Sequence, residues 1–92
     1  MLPLQNFAAT VVAEIIRRQP ASKERTAFAW SLAVGPALSR ATTVELVDDI
    51  LHVRSRDARW AAELQRARDV VLGRLQQLLG VEAIRDVRIV RE

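Results

Sequence analysis

The chain has 92 residues, half of them apolar, with 14 basic and 11 acidic side chains and no cysteine. That length suits one domain, residues 1–92, with a small core, and the lack of cysteine excludes a disulfide framework and any thiolate metal site. No basic residue precedes Arg17, and Glu14 interrupts the apolar run far short of the roughly 20 residues a membrane span needs, so neither a signal peptide nor a membrane anchor is written and a cytoplasmic protein is expected.

A first helix is predicted over residues 5–18, where Leu4, Phe7, Ala8, Val11 and Ile15 recur at helical spacing and Pro20 marks the stop. The second is predicted over residues 22–40, with Ser22 as N-cap, Glu24 in the first turn and an inward line of Ala27, Trp30, Val34 and Leu38. Gly35-Pro36 falls inside that line. Proline removes one helical bond and disfavours helical angles at the residue before it, which predicts a kink or a brief break near Val34 and Gly35.

Two runs of period-two apolar residues follow, strands over residues 43–47 and 50–55, flanking Asp48-Asp49. With the two aspartates as the loop, Val47 faces Ile50, Leu46 faces Leu51, Glu45 faces His52 and Val44 faces Val53. A slip of one residue would exchange the faces, so Val44, Leu46, Leu51 and Val53 are read as inward and Thr43, Glu45, His52 and Arg54 as outward. Aspartate is less comfortable than glycine or asparagine at positive φ, which leaves a longer loop open as an alternative.

Ser55 or Asp57 then caps a third helix over residues 56–79, with Trp60, Leu64, Ala67, Val71, Leu75 and Leu78 on one stripe and Gly80 at the C-cap. Such a helix is on the order of 30 Å long, enough to cover a three-stranded sheet from edge to edge. A third strand over residues 84–90 places Val87 and Ile89 inward and Arg88 outward. The reading is an α+β fold of order α-α-β-β-α-β, a three-stranded sheet with helices packed on one face. Its structural anchors are Trp30, Gly35, Leu51, Val53, Trp60 and Leu64, with Trp60 expected under the third helix against Val53 and Val87.

Catalytic chemistry finds little support. The single histidine, His52, is placed opposite Glu45 with no serine or cysteine nucleophile beside it. Asp48 and Asp49 lack the further oxygens that magnesium or calcium requires, and three glycines, Gly35, Gly73 and Gly80, write neither a P-loop nor a GxxG phosphate clamp. No enzyme, cofactor or small-molecule substrate is therefore expected. Charge is more informative: residues 1–53 carry five basic and five acidic side chains, and residues 54–92 carry nine and six. Arginine supplies every basic group but Lys23, and it suits bidentate contact with phosphate or carboxylate, although a compositional bias toward arginine would give the same count. Arg56, Arg59, Arg66 and Arg74 fall on one flank of the third helix, where Glu63 can pair with Arg59 or Arg66. Arg54, Arg59, Arg66 and Arg88 are the candidate partner or nucleic-acid contacts. Both tryptophans lie on apolar helical lines and are read as core rather than as base-stacking platforms.

An ordered set of residues also resembles a known family. Trp30 with Val34-Gly35-Pro36-Ala37-Leu38, Asp48, Ile50-Leu51-His52-Val53 leading to Ser55, Trp60-Ala61-Ala62-Glu63-Leu64, Leu72, Leu75, Leu79-Gly80 and Val87-Arg88-Ile89 is similar to the DciA family of bacterial replicative-helicase operators, over roughly Thr26 to Val90. The resemblance implies a KH-like domain that binds the DnaB-type replicative helicase, assists its loading in the initiation of DNA replication and in some members touches single-stranded DNA. Asp49 departs from the family, which often has glycine there, and many relatives carry a further flexible segment that this sequence lacks. The competing reading is a KH-like nucleic-acid-binding module for single-stranded DNA or RNA without a helicase partner, for which weak, salt-sensitive affinity is expected.

Overall fold

The computed structural model describes the main chain of residues 4–91 and the side chains of residues 11–90. Along it run α1 (Leu4–Arg18), α2 (Lys23–Val34), α3 (Pro36–Arg40), β1 (Thr42–Val47), β2 (Ile50–Ser55), α4 (Ala58–Arg66), α5 (Arg68–Leu79) and β3 (Asp86–Arg91). The fold is α+β, with helices packed against a three-stranded sheet of order β1-β2-β3. Pairing is antiparallel between β1 and β2 and parallel between β2 and β3. With α2/α3 and α4/α5 taken as two interrupted helices, the expected order α-α-β-β-α-β stands.

The hairpin keeps the register read from its apolar alternation, from Val47↔Ile50 to Val44↔Val53. Asp48 and Asp49 take φ 51 and φ 66, the left-handed angles that a two-residue turn of the I′ type demands, so the longer loop is not used. The approach to β3 steadies this turn: the Arg85 N–H donates to the Asp49 carbonyl at 2.7 Å and Arg85 Nη2 donates to the Asp48 carbonyl at 3.3 Å. Leu51 and Val53 are fully buried and Val87 nearly so, whereas Val44, Leu46 and Ile89 are half-buried against the same core. Ile84 is also fully buried but precedes β3, which starts two residues later than expected.

The second predicted helix breaks where proline chemistry said it would. Gly35 sits at φ 90, ψ 164, a region essentially reserved for glycine, and Pro36 then opens α3 at a position where its missing donor costs nothing. Arg74 Nη1 donates to the Ala33 carbonyl at 3.0 Å, filling an acceptor that the end of α2 leaves without a helical donor. The third predicted helix is not one rod. It divides at Ala67, although no glycine or proline lies between Ala58 and Leu72, so tertiary contact decides the bend. α4 packs on β2 and β3, α5 turns toward α1 and α2, and Arg68 at the joint is fastened to β3 through the Val87 carbonyl and Asp86.

Two helix faces also differ from expectation. On α1 the inward residues are Val12, Ala13 and Ile16, while Val11 and Ile15 are 41% and 54% exposed. The segment is apolar almost all round, so periodicity did not select a face; Glu14 and Arg18, three and seven residues after Val11, share its side and paired at 3.5 Å mark it as solvent. Leu4, Phe7 and Ala8 lie outside the described side chains. On α2 Thr26, Ala29, Trp30 and Ala33 are buried and Ala27 is exposed, with Val34 and Leu38 half-buried against the core.

Two substitutions at these turns should move stability in opposite directions. A Cβ at Gly35 would meet nothing within 4 Å, so Gly35→Ala should lose about 1–3 kcal/mol through backbone strain alone, read as a lower thermal midpoint. Asp49→Gly should gain about 0.5 kcal/mol by relieving positive φ, since the exposed Arg85 contact it gives up, at 3.8 Å, contributes little.

Candidate interaction surfaces

With the helices on one face of the sheet, the other face is open and its side chains follow from the pleat. Cross-strand register makes rows of Thr43, Arg54 and Val90, of Glu45, His52 and Arg88, and of Val47, Ile50 and Asp86. Arg54 and Arg88 are both exposed and stand diagonally, one row apart. Glu45 and His52 are direct cross-strand neighbours, as the sequence reading had them.

Arg59 and Arg66 belong to α4, which starts from Asp57: its Oδ1 accepts the Arg59 N–H at 2.8 Å, and the buried Ser55 hydroxyl braces Asp57 by accepting its N–H at 3.2 Å. Of the two capping candidates, Asp57 is therefore the N-cap. Seven residues separate Arg59 from Arg66, two turns, so both project from the solvent side of α4 with side chains 93% and 73% exposed. Arg66 pairs with Glu63 at 3.0 Å, while Arg59 approaches Asp57 at 3.9 Å. The sheet lies between this pair and the open-face pair, so the four arginines form two surfaces. Arg74 joins neither; its guanidinium is committed to Ala33.

The two tryptophans part company. Trp30 is 2% exposed, and its indole Nε1 donates to Thr42 Oγ1 at 2.9 Å, which in turn donates to the Leu38 carbonyl at 2.8 Å. Trp60 does not enter the core against Val53 and Val87. Ala61 and Leu64 take the buried positions of α4, and Trp60, one residue away, is half-buried in the wall of a cleft of about 520 Å³ with Arg40, Thr43, Arg54 and Arg56. The helical stripe alone could not separate Trp60 from Ala61, and the arginines around it come from two separate segments, the end of α3 and the end of β2, so this cleft had no local signal in the sequence.

A family model described as Dna[CI] antecedent, DciA, matches residues 3–89, nearly the whole chain. No curated protein and no solved structure gives a match.

The contrast between the tryptophans is measurable. Trp30→Ala should cost about 3–5 kcal/mol, the range for emptying an aromatic core site, whereas Trp60→Ala should cost clearly less and leave chemical denaturation cooperative. Equal losses for the two variants would place Trp60 in the core after all.

Proposed function

The chain belongs to the DciA family, and on that premise we propose that it is a non-enzymatic adaptor that binds the DnaB-type replicative helicase and assists its loading when DNA replication begins. The family is one related to loading of that helicase rather than a catalytic one. The observation that carries the reading is the length of the match, residues 3–89, which includes every helix and nearly all of the sheet. The surfaces are in keeping with it. Arg59 and Arg66 stand exposed on α4 and Arg54 and Arg88 on the open sheet face, and dispersed charge of this kind favours fast, reversible, charge-steered association over tight burial. A loading factor has to let go of its cargo.

The helicase contact is assigned to the α4 arginines Arg59 and Arg66, because the outward strand residues Arg54 and Arg88 lie across the sheet from them. Arg59→Glu combined with Arg66→Glu should abolish co-purification of the host helicase at low salt while moving the thermal midpoint little, because both side chains are solvated. Full retention of the helicase by the double variant would remove α4 from the contact. If the wild-type chain retains single-stranded DNA and no helicase, the adaptor reading gives way to a nucleic-acid module.

A further inference from the structure

The two edges of the sheet differ at one position: among the described residues, β3 is closed at Val87, though not at Ile89, and β1 has no such closure. Parallel pairing in the observed register turns the main-chain groups of Val87 away from β2, and side chains occupy both of them. Asp86 Oδ1 accepts the Val87 N–H at 2.8 Å and Arg68 Nε donates to the Val87 carbonyl at 2.9 Å, with Arg68 also paired to Asp86. An edge closed this way is protected from further strand pairing at that point. On β1 the two-residue turn makes Val47 and Ile50 a hydrogen-bonded pair, so Thr43, Glu45 and Val47 direct their main-chain groups to β2 while Thr42, Val44 and Leu46 direct theirs outward. Among the described residues, no side chain closes the outward main chain of Val44 or Leu46.

A groove of about 620 Å³ runs beside this edge, between the first turns of α2 at Lys23 and Ala27 and the strand at Val44 and Leu46. Thr43 and Arg54 line both this groove and the Trp60 cleft, so the two adjoin at the start of β1. Along their length Lys23, Arg40 and Arg54 outnumber Glu45 and Asp57.

We propose that β1 is a docking edge for an extended acidic polypeptide segment of a partner protein, added as a fourth strand along Val44 and Leu46 with its end against Arg40, Arg54 and Trp60. The alternating donors and acceptors of an open strand edge are matched in both senses by another main chain. A phosphodiester backbone offers acceptors to the N–H groups but no donors to the carbonyls, which would face it with like partial charge. The excess of cations selects an acidic segment, and the half-exposed indole gives its end an aromatic surface. The inference concerns the edge itself and holds whichever partner carries the segment, so it is separable from the helicase contact assigned to α4.

The probe is a blocked hexapeptide of alternating aspartate and valine ending in phenylalanine, with two twins N-methylated at the valines or at the aspartates, titrated onto the full chain. Strand addition uses the N–H groups of alternate residues, so one twin should bind about tenfold or more weaker than the parent and the other nearly as well. Amide exchange at Val44 and Leu46 should slow with the parent, and Arg40→Glu with Arg54→Glu should weaken binding without lowering the thermal midpoint. Equal affinity for all three peptides, no binding of the parent up to roughly 1 mM, or protection confined to other strands would overturn the proposal. A thymidine oligonucleotide that protects Val44 and Leu46 where the peptide does not would give the groove to nucleic acid instead.

Discussion

The arrangement of the helices around the sheet depends on one buried chain of hydrogen bonds, from the Trp30 indole to the Thr42 hydroxyl to the Leu38 carbonyl. Trp30 brings the largest side chain of the core, and burying it requires a partner for its N–H. Thr42 supplies that partner at the first residue of β1, and its own proton goes to the last turn of α3. Three elements are thus fixed to each other by a single hydroxyl. The geometry is reachable because Gly35 lets the chain turn between α2 and α3, bringing Leu38 back over the strand start. The break in the helix is therefore part of how the tryptophan is satisfied.

Where sequence patterns were local and polarised, they carried the structure. The hairpin register followed from two opposed alternations with charge on one face, and the Gly35 break from the covalent limits of proline. Arg88 and Val87 could be assigned to opposite faces of β3 for the same reason. What stayed hidden was set by distant contact: the bend at Ala67 has no breaker in its own sequence and is made by Arg68 reaching β3. The face of α1 was ambiguous because apolar residues surround it, and only the Glu14–Arg18 pair distinguished outside from inside. The arginine flank dissolved for a related reason, since Arg74 found a carbonyl at the end of α2, a contact between residues 41 positions apart. Among the site residues, exposure of Arg54 and Arg88 was legible from the pleat and that of Arg59 and Arg66 from the helix, but the separation of the two pairs by the sheet was not.

Charge in this protein divides into structural and available groups. Arg68, Arg74 and Arg85 donate to main-chain carbonyls and hold elements together. Arg54, Arg59 and Arg88 remain exposed on surfaces that no element covers among the described residues. The surplus of basic residues in the second half of the chain is therefore a poor measure of binding potential, because three of them have already been used to fasten α5 and β3. Family membership places the chain in a family related to loading of the DnaB-type helicase.

The parallel pairing of β2 with β3 also orders the events of folding. The hairpin closes over a two-residue turn, the kind of local contact that forms in about 1–10 μs. Leu51 must wait for Val87, 36 positions later (51 to 87), and that closure pays its chain entropy before the pairing returns any energy. Until α4 and α5 have formed and bent, the central strand of the native sheet has a neighbour on one side only. The same strand that ends most deeply buried thus spends the early part of folding as an open edge. Pairing with β3 ends that interval, and in the finished fold the Arg68 contacts with Asp86 and Val87 hold the last strand to α5.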